Sequence, residues 1–398
     1  MIQRSVELHP TFKIYSTTLQ NQLFLSISLI KESANLETTT KKIYDRISEI
    51  LIDSSSQIIH ERCFAKVEIH EQILKARASA LRAHQLSPDT PVTFVEGGSC
   101  FDSVIAGFQI RALKPISDTH IRTIHDQGIP KGRSWSVNGS TFYILQGIDG
   151  GTQTNLDLTN RTSRSEAMFH QAERLLRAQG ANYQDVVRTW IYISDILDWY
   201  GDFNVVRNKC YSEYGFIHNN DTKLNAEQMY LPASTGIEGK NPSGSPATMD
   251  VFAVRHSQNS SIKVRPLYGL KQRSPFRYGS AFSRAIVIEE PGSKLILVSG
   301  TASINEDGKS VFLNDPAAQI KQTLQVVSTL INPEGATLQD ICEATVFMKR
   351  KEDFPLFQTL AEQFGISQIP SVNVIADVCR DELLFEIDAA FILEKDKV

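Results

Sequence analysis

Pro232-Ala-Ser234-Thr-Gly-Ile-Glu238-Gly239 has an earlier copy in Pro91-Val-Thr93-Phe-Val-Glu96-Gly97 and a weaker later one in Pro370-Ser371-Val-Asn373-Val-Ile375-Ala-Asp377. The copies are 141 and 138 residues apart. Internal self-similarity at a fixed period marks a chain built from repeated supersecondary units. Each copy is followed, after a loop, by an alternating strand: Phe108-Gln109-Ile110-Arg111-Ala112, Asp250-Val-Phe252-Ala253-Val254 and Phe385-Glu386-Ile387-Asp388-Ala389. Two strands joined by a turn read as a hairpin closing each unit.

Working outward, the order of elements repeats as well. Unit two offers a strand at 141–147, then a helix opened by Ser163-x-x-Glu166, a strand at 186–194 and a helix near 202–214. Unit three offers strands near 284–289 and 295–302, then a helix capped by Asp315 with Pro316 at its first position. A strand at 341–349 and a helix at 354–364 follow. Unit one starts later, with a strand at 23–29, a helix at 36–51, a strand at 62–69 and a helix at 72–84. The polar stretches 115–132 and 257–274 read as linkers, which gives units at 1–115, 130–256 and 264–398. The fold class is α+β, in three tandem ββαβαββ units. Two helices cover only one face of such a sheet, so three bare faces must bury one another as an intramolecular pseudo-trimer.

Composition narrows the function. Hydrophobic residues make up 41% of the chain, enough for packed cores, and the formal charge is −4, which gives no global pull toward nucleic acid. Apolar runs such as 23–30 and 295–299 are too short to span a bilayer, and the start of the sequence lacks a signal-peptide core. The five cysteines are scattered and form no CxxC pair, which fits free thiols in a reducing, cytoplasmic setting. The nine histidines show no HxxxH spacing, and no GxGxxG, Walker loop or GxSxG elbow occurs. Neither a metal nor a cofactor is expected, and the partners expected are a small carboxylate substrate and, at most, further copies in a small homo-oligomer.

The stretch Val186-Val-Arg188-Thr-Trp190-Ile-Tyr192-Ile-Ser194-Asp195, with Tyr200-Gly-Asp202-Phe203-Asn204, resembles the strand-and-helix signature of the YjgF/Rid superfamily. The ending Phe385-Glu386-Ile387-Asp388-Ala389 is similar to that family's terminal strand. The resemblance implies ββαβαββ units with clefts between them, where members hydrolyse enamines and imines. Within unit three, Ser280-Ala-Phe282-Ser-Arg284-Ala285, Val298-Ser-Gly300-Thr-Ala302-Ser-Ile304 and Ala376-Asp-Val-Cys379-Arg380-Asp-Glu-Leu-Leu-Phe385-Glu386 resemble chorismatases, which cleave pyruvate from chorismate. Where their pattern continues with Gly-His, this chain has Asn305-Glu306.

The resemblance also implies site residues. The family's carboxylate-binding arginine falls near Thr93, Ser234 and Ser371, none of them basic, and its glutamate falls on Gln109, Asp250 and Glu386. Glu386 is therefore the catalytic candidate. Arg284, Ser371, Asn373 and Ile375 are substrate-binding candidates, while Arg188 and Tyr192 either line a cleft or form an interface. An aliphatic residue eleven positions before the glutamate, here Ile375, implies simple hydrolysis rather than formation of a hydroxybenzoate. Cys379 reads as a buried structural thiol. Three functions stay open: a chorismatase-type hydrolase, an enamine/imine deaminase, and a non-catalytic metabolite-binding protein. A nuclease would need a basic surface.

Overall fold

The computed structural model describes every residue except 33–34, 117–118, 152–159, 219, 223–224, 270 and 396–398. Unit one runs β1 (Gln3–Leu8), β2 (Phe12–Leu19), β3 (Gln22–Leu29), α1 (Leu36–Asp53), β4 (Gln57–Ala65), α2 (His70–Ala83), β5 (Thr93–Val95), β6 (Gly98–Ser99) and β7 (Ile105–Leu113). Unit two runs β8 (Arg122–Asp126), β9 (Ile129–Val137), β10 (Ser140–Ile148), α3 (Arg161–Ala178), β11 (Val186–Ile193), α4 (Ile196–Glu213), β12 (Ala233–Glu238) and β13 (Ala247–His256). Unit three runs β14 (Lys263–Leu267), β15 (Ala285–Glu290), β16 (Ser293–Ala302), α5 (Pro316–Ile331), β17 (Ile341–Met348), α6 (Phe354–Gln363), β18 (Ser371–Ile375) and β19 (Phe385–Glu394).

The three sheets share one strand order: β1-β2-β3-β7-β4-β5, β8-β9-β10-β13-β11-β12 and β14-β15-β16-β19-β17-β18. In each, the strand between the two helices pairs in parallel with the strand after the second helix, and the other neighbours are antiparallel. Units two and three thus begin with one strand more than the ββαβαββ order, and unit one, read with a single strand before its first helix, has three. β8 and β14 lie inside the stretches read as linkers, and unit one is not shorter than the others. The reason is physical: β1, β8 and β14 are edge strands paired on one side, so their apolar alternation is weak, and β14 carries Pro266. The helix of unit two also starts earlier than expected, because Asn160 rather than Ser163 accepts the free amides of Thr162 and Ser163. Asp315 caps α5 as expected, accepting from the Ala318 amide.

Each unit has its own core between helices and sheet, exemplified by Ile47 and Phe108, by Phe169 and Phe203, and by Leu324 and Phe391. A further core is shared. Phe24 and Phe64 of unit one, Trp190 and Phe252 of unit two, and Leu297 and Phe347 of unit three all bury into it. Full burial of one such side chain is worth about 1.5–3 kcal/mol, so no unit can leave this face bare. The chain is an intramolecular pseudo-trimer with helices outside and sheets inside. A small strand exchange ties its ends: Gly98 and Ser99 of β6 pair with Ile375 and Val374 at the edge of unit three's sheet.

Candidate active site

The pseudo-trimer has three junctions, and each sets the arginine-position strand of one unit against the glutamate-position strand of another. Between units one and two, the Thr93 hydroxyl donates to Asp250 (2.5 Å), as does the Gly147 amide (2.9 Å). His60 Nε2 lies 2.8 Å from the other Asp250 oxygen and stacks obliquely on Trp190. Burial pulls the His60 imidazole below its usual range despite that carboxylate. Thr93, His60 and Asp250 are each at most 1% exposed, so the junction is sealed.

Between units two and three the arrangement is different. Ser234 and Gly236 of β12 face Glu386 of β19 across a narrow pocket of about 50 Å³. Ser234 is held by its amide, which donates to the Ser299 hydroxyl (2.8 Å), and the Gly300 amide donates to Thr235 (3.0 Å). Glu386 is 4% exposed, and among the described residues its carboxyl takes no hydrogen bond. Burial, then the neighbouring Asp388, push its pKa up to about 8, against the pull of Arg188 and Arg284. A carboxylic acid that keeps its proton at neutral pH is the group a general acid requires.

Guanidinium groups line the same pocket. Arg284 donates through Nε and Nη2 to the Arg273 carbonyl (3.2 Å each) and through Nη2 to the Tyr278 hydroxyl. Arg207, on α4, packs over the Phe282 ring at 5.6 Å and donates to Asn204, leaving its buried Nε without an acceptor. Arg380 is anchored on the Gly308 carbonyl (2.8 Å) and the Ser310 hydroxyl (3.2 Å). Three cations around one protonated acid favour a ligand with more than one carboxylate.

Cys379 also lines this pocket, its thiol pushed up to about 12 by burial and by Glu386, so it is present as the neutral thiol. Gly300 is required here because a Cβ would run into the Glu386 carboxyl and lie 3.1 Å from Thr235 Cγ2. Gly300→Ala is expected to lower turnover at least tenfold, on the order of the loss from a misplaced catalytic group. Unchanged steady-state kinetics would show that Glu386 has room to retreat.

Several candidates from the sequence belong elsewhere. Ser371, Asn373 and Ile375 do not reach the Glu386 pocket, because β17 separates β18 from β19 and turns β18 toward unit one. The Ser28 hydroxyl donates to the Ser371 carbonyl, and Ile375 packs on Gly98 of β6. The argument from Ile375 to a product type therefore loses its basis. Arg188 is interior: Nη2 donates to Thr235 (2.6 Å) and lies 3.3 Å from Asp388. Tyr192 is also interior, its hydroxyl accepting from Arg62 at 3.3 Å. Tyr200, Arg207, Tyr278 and Arg380 are pocket residues that sequence reasoning passed over. Tyr200 and Arg207 were findable, since a spacing of seven puts both on one helix face. On the outer helices, His170, Cys210 and Glu213 bring donor atoms within 4.8 Å of one another, but Glu213 is engaged by His170 (3.3 Å) and Lys209 (3.8 Å).

Comparison with known proteins bears on the family and the fold. Residues 278–391 match the family described as Endoribonuclease L-PSP. The chain carries a YjgF/Rid-type domain in unit three. Over 289 residues it is 25% identical to a chorismatase of Streptomyces hygroscopicus, covering 68% of this chain and 77% of the relative. It is 26% identical over 94 residues to the 3-aminoacrylate deaminase RutC of Acinetobacter baylyi, covering 23% of this chain and 75% of the relative. A crystal structure of chorismatase superposes with a TM-score of 0.58 at 19% identity, covering 84% of this chain and 92% of the other, which shows a common fold. The chain thus shares its fold with that structure and has one junction at which a buried carboxyl lines a pocket. Among the described residues no helix is long and apolar enough to cross a membrane.

Proposed function

We propose that this protein is a chorismatase-like hydrolase that acts on chorismate or a related enolpyruvyl ether and releases pyruvate. The observation that carries the reading is the buried, protonated Glu386 in a pocket lined by Arg207, Arg284 and Arg380. The guanidiniums bind the carboxylates of the substrate. Glu386 transfers its proton to the terminal methylene of the enol ether, and the alkene electrons form that C–H bond, leaving an oxocarbenium ion. Water adds to the cationic carbon and returns a proton to Glu386. The resulting hemiketal collapses: the bond between that carbon and the ring oxygen breaks, a proton passes to the departing oxygen, and pyruvate and a ring alcohol leave. Cys379, neutral at working pH, takes no part as a nucleophile. The pocket as it stands has room for a few water molecules, so a ring diacid is admitted when the 275–278 turn carrying Tyr278 moves aside.

Incubation with chorismate and measurement of pyruvate tests the proposal. Stoichiometric pyruvate supports it, whereas ammonia release from an enamine substrate with no pyruvate from chorismate would move the activity to the deaminases. Because the acid must be protonated, kcat/KM is expected to fall as pH rises through about 8, with the dependence of a single proton. A profile flat from neutral to strongly alkaline pH would remove Glu386 as the proton donor.

A further inference from the structure

The third junction, between units three and one, is neither sealed like the first nor acidic like the second. Gln109 stands where Glu386 stands in the active pocket. Its amide donates to the Ala344 carbonyl (2.7 Å) and its oxygen accepts from the Thr345 hydroxyl (3.3 Å), so both ends are engaged and no proton is on offer. Outside that contact the junction opens into a cavity of about 350 Å³, against about 50 Å³ around Glu386. That size falls in the range of small-molecule sites.

The charges of this cavity are unusual. Lys13, on β2 of unit one, and Glu362, on α6 of unit three, both line it. Among the described residues neither has an ion-pair partner within 4.0 Å, nor do they reach each other. The same cavity is lined by Phe101, which meets Phe354 edge to face at 5.0 Å, and by Phe357. Asn373 also lines the cavity. A lone cation would suit an anion and a lone carboxylate a cation. Two unpaired, opposite charges in one cavity with aromatic lining suit a molecule with both poles and an apolar group.

We propose that this cavity binds an α-amino acid with an aromatic or large aliphatic side chain. The carboxylate pairs with Lys13, the ammonium with Glu362, and the side chain lies on Phe101 and Phe357. The site is non-catalytic and stands independently of the hydrolase reading, since binding is measured without turnover.

Titration calorimetry on the full chain with L-phenylalanine, 3-phenylpropanoate and 2-phenylethylamine tests it. One equivalent of L-phenylalanine should bind, and each analogue lacking one pole should bind about tenfold more weakly or worse, as expected for loss of a charged hydrogen bond. Lys13→Met should weaken L-phenylalanine while leaving 2-phenylethylamine unchanged, and Glu362→Gln should weaken L-phenylalanine while leaving 3-phenylpropanoate unchanged. Both residues reach the surface, so melting curves of the variants should match the parent. No heat from L-phenylalanine at millimolar concentration overturns the proposal. So does an analogue that equals it, or binding indifferent to both substitutions.

Discussion

Glu386→Gln is expected to lower kcat for pyruvate release by about 10²–10⁴-fold, the usual worth of a placed general acid. KM should change little, because the replacement keeps the size of the side chain and leaves Arg207, Arg284 and Arg380 in place. The informative control is Asp250→Asn. Asp250 occupies the matching strand position in unit two but is fully buried and committed to Thr93, Gly147 and His60. Its loss should be felt in stability, while turnover by the folded protein stays within about tenfold, since the two sites share no partner. Equal kinetic losses from both substitutions would establish a second working acid, and a fully active Glu386→Gln protein would place the proton elsewhere.

The largest effect on stability should come from Glu343→Ala. Glu343 of unit three accepts from Arg62 of unit one at 2.5 Å, and both are almost fully buried at the centre of the pseudo-trimer. Arg62 also lies 4.9 Å over the Trp190 ring of unit two, so one guanidinium touches all three units. Removing the carboxylate leaves that charge in the interior without its counterion, a loss of about 3–5 kcal/mol. An exposed pair gives the contrast: Lys41→Ala, which breaks the contact with Asp45, should cost about 0.3–0.5 kcal/mol. Urea denaturation of the three proteins measures both. A shift for Glu343→Ala as small as that for Lys41→Ala would mean that water reaches the interior and solvates Arg62.

The repeat was legible because it is written in residues with strong local meaning. Prolines before β12 and β18, the Glu-Gly turns, and the alternation in β7, β13 and β19 each constrain the backbone on their own. The first strand of each unit was not legible, since a strand paired on one side needs no apolar stripe. The site was half legible. Glu386 and Arg284 both line one pocket, and both sit in unit three. Ser371, Asn373 and Ile375, also of unit three, do not line that pocket. Their strand faces unit one, and a sequence states neighbours along the chain, not which unit sits across a junction. Arg207 and Tyr200 come from unit two, across the junction from Glu386. Arg188 and Tyr192 alternate as cleft residues would, yet the same alternation serves an interior built from three sheets.

The pairing of Gly98 and Ser99 with Ile375 and Val374 has a consequence for how the molecule is made. A ribosome delivers unit one first, and the strand that completes this contact arrives only when residue 375 has emerged. At about 5–20 residues per second the wait is roughly 14–55 s. Throughout it Phe24, Phe64 and Arg62 have no unit three to cover them, and the edge beside β6 stays open to any other strand. Contacts this distant along the chain also slow the closing step, because loop entropy is lost before the contact compensates. The nascent protein is thus most prone to aggregate while two thirds synthesised. A chain stopped short of unit three would be a substrate for chaperones and proteases.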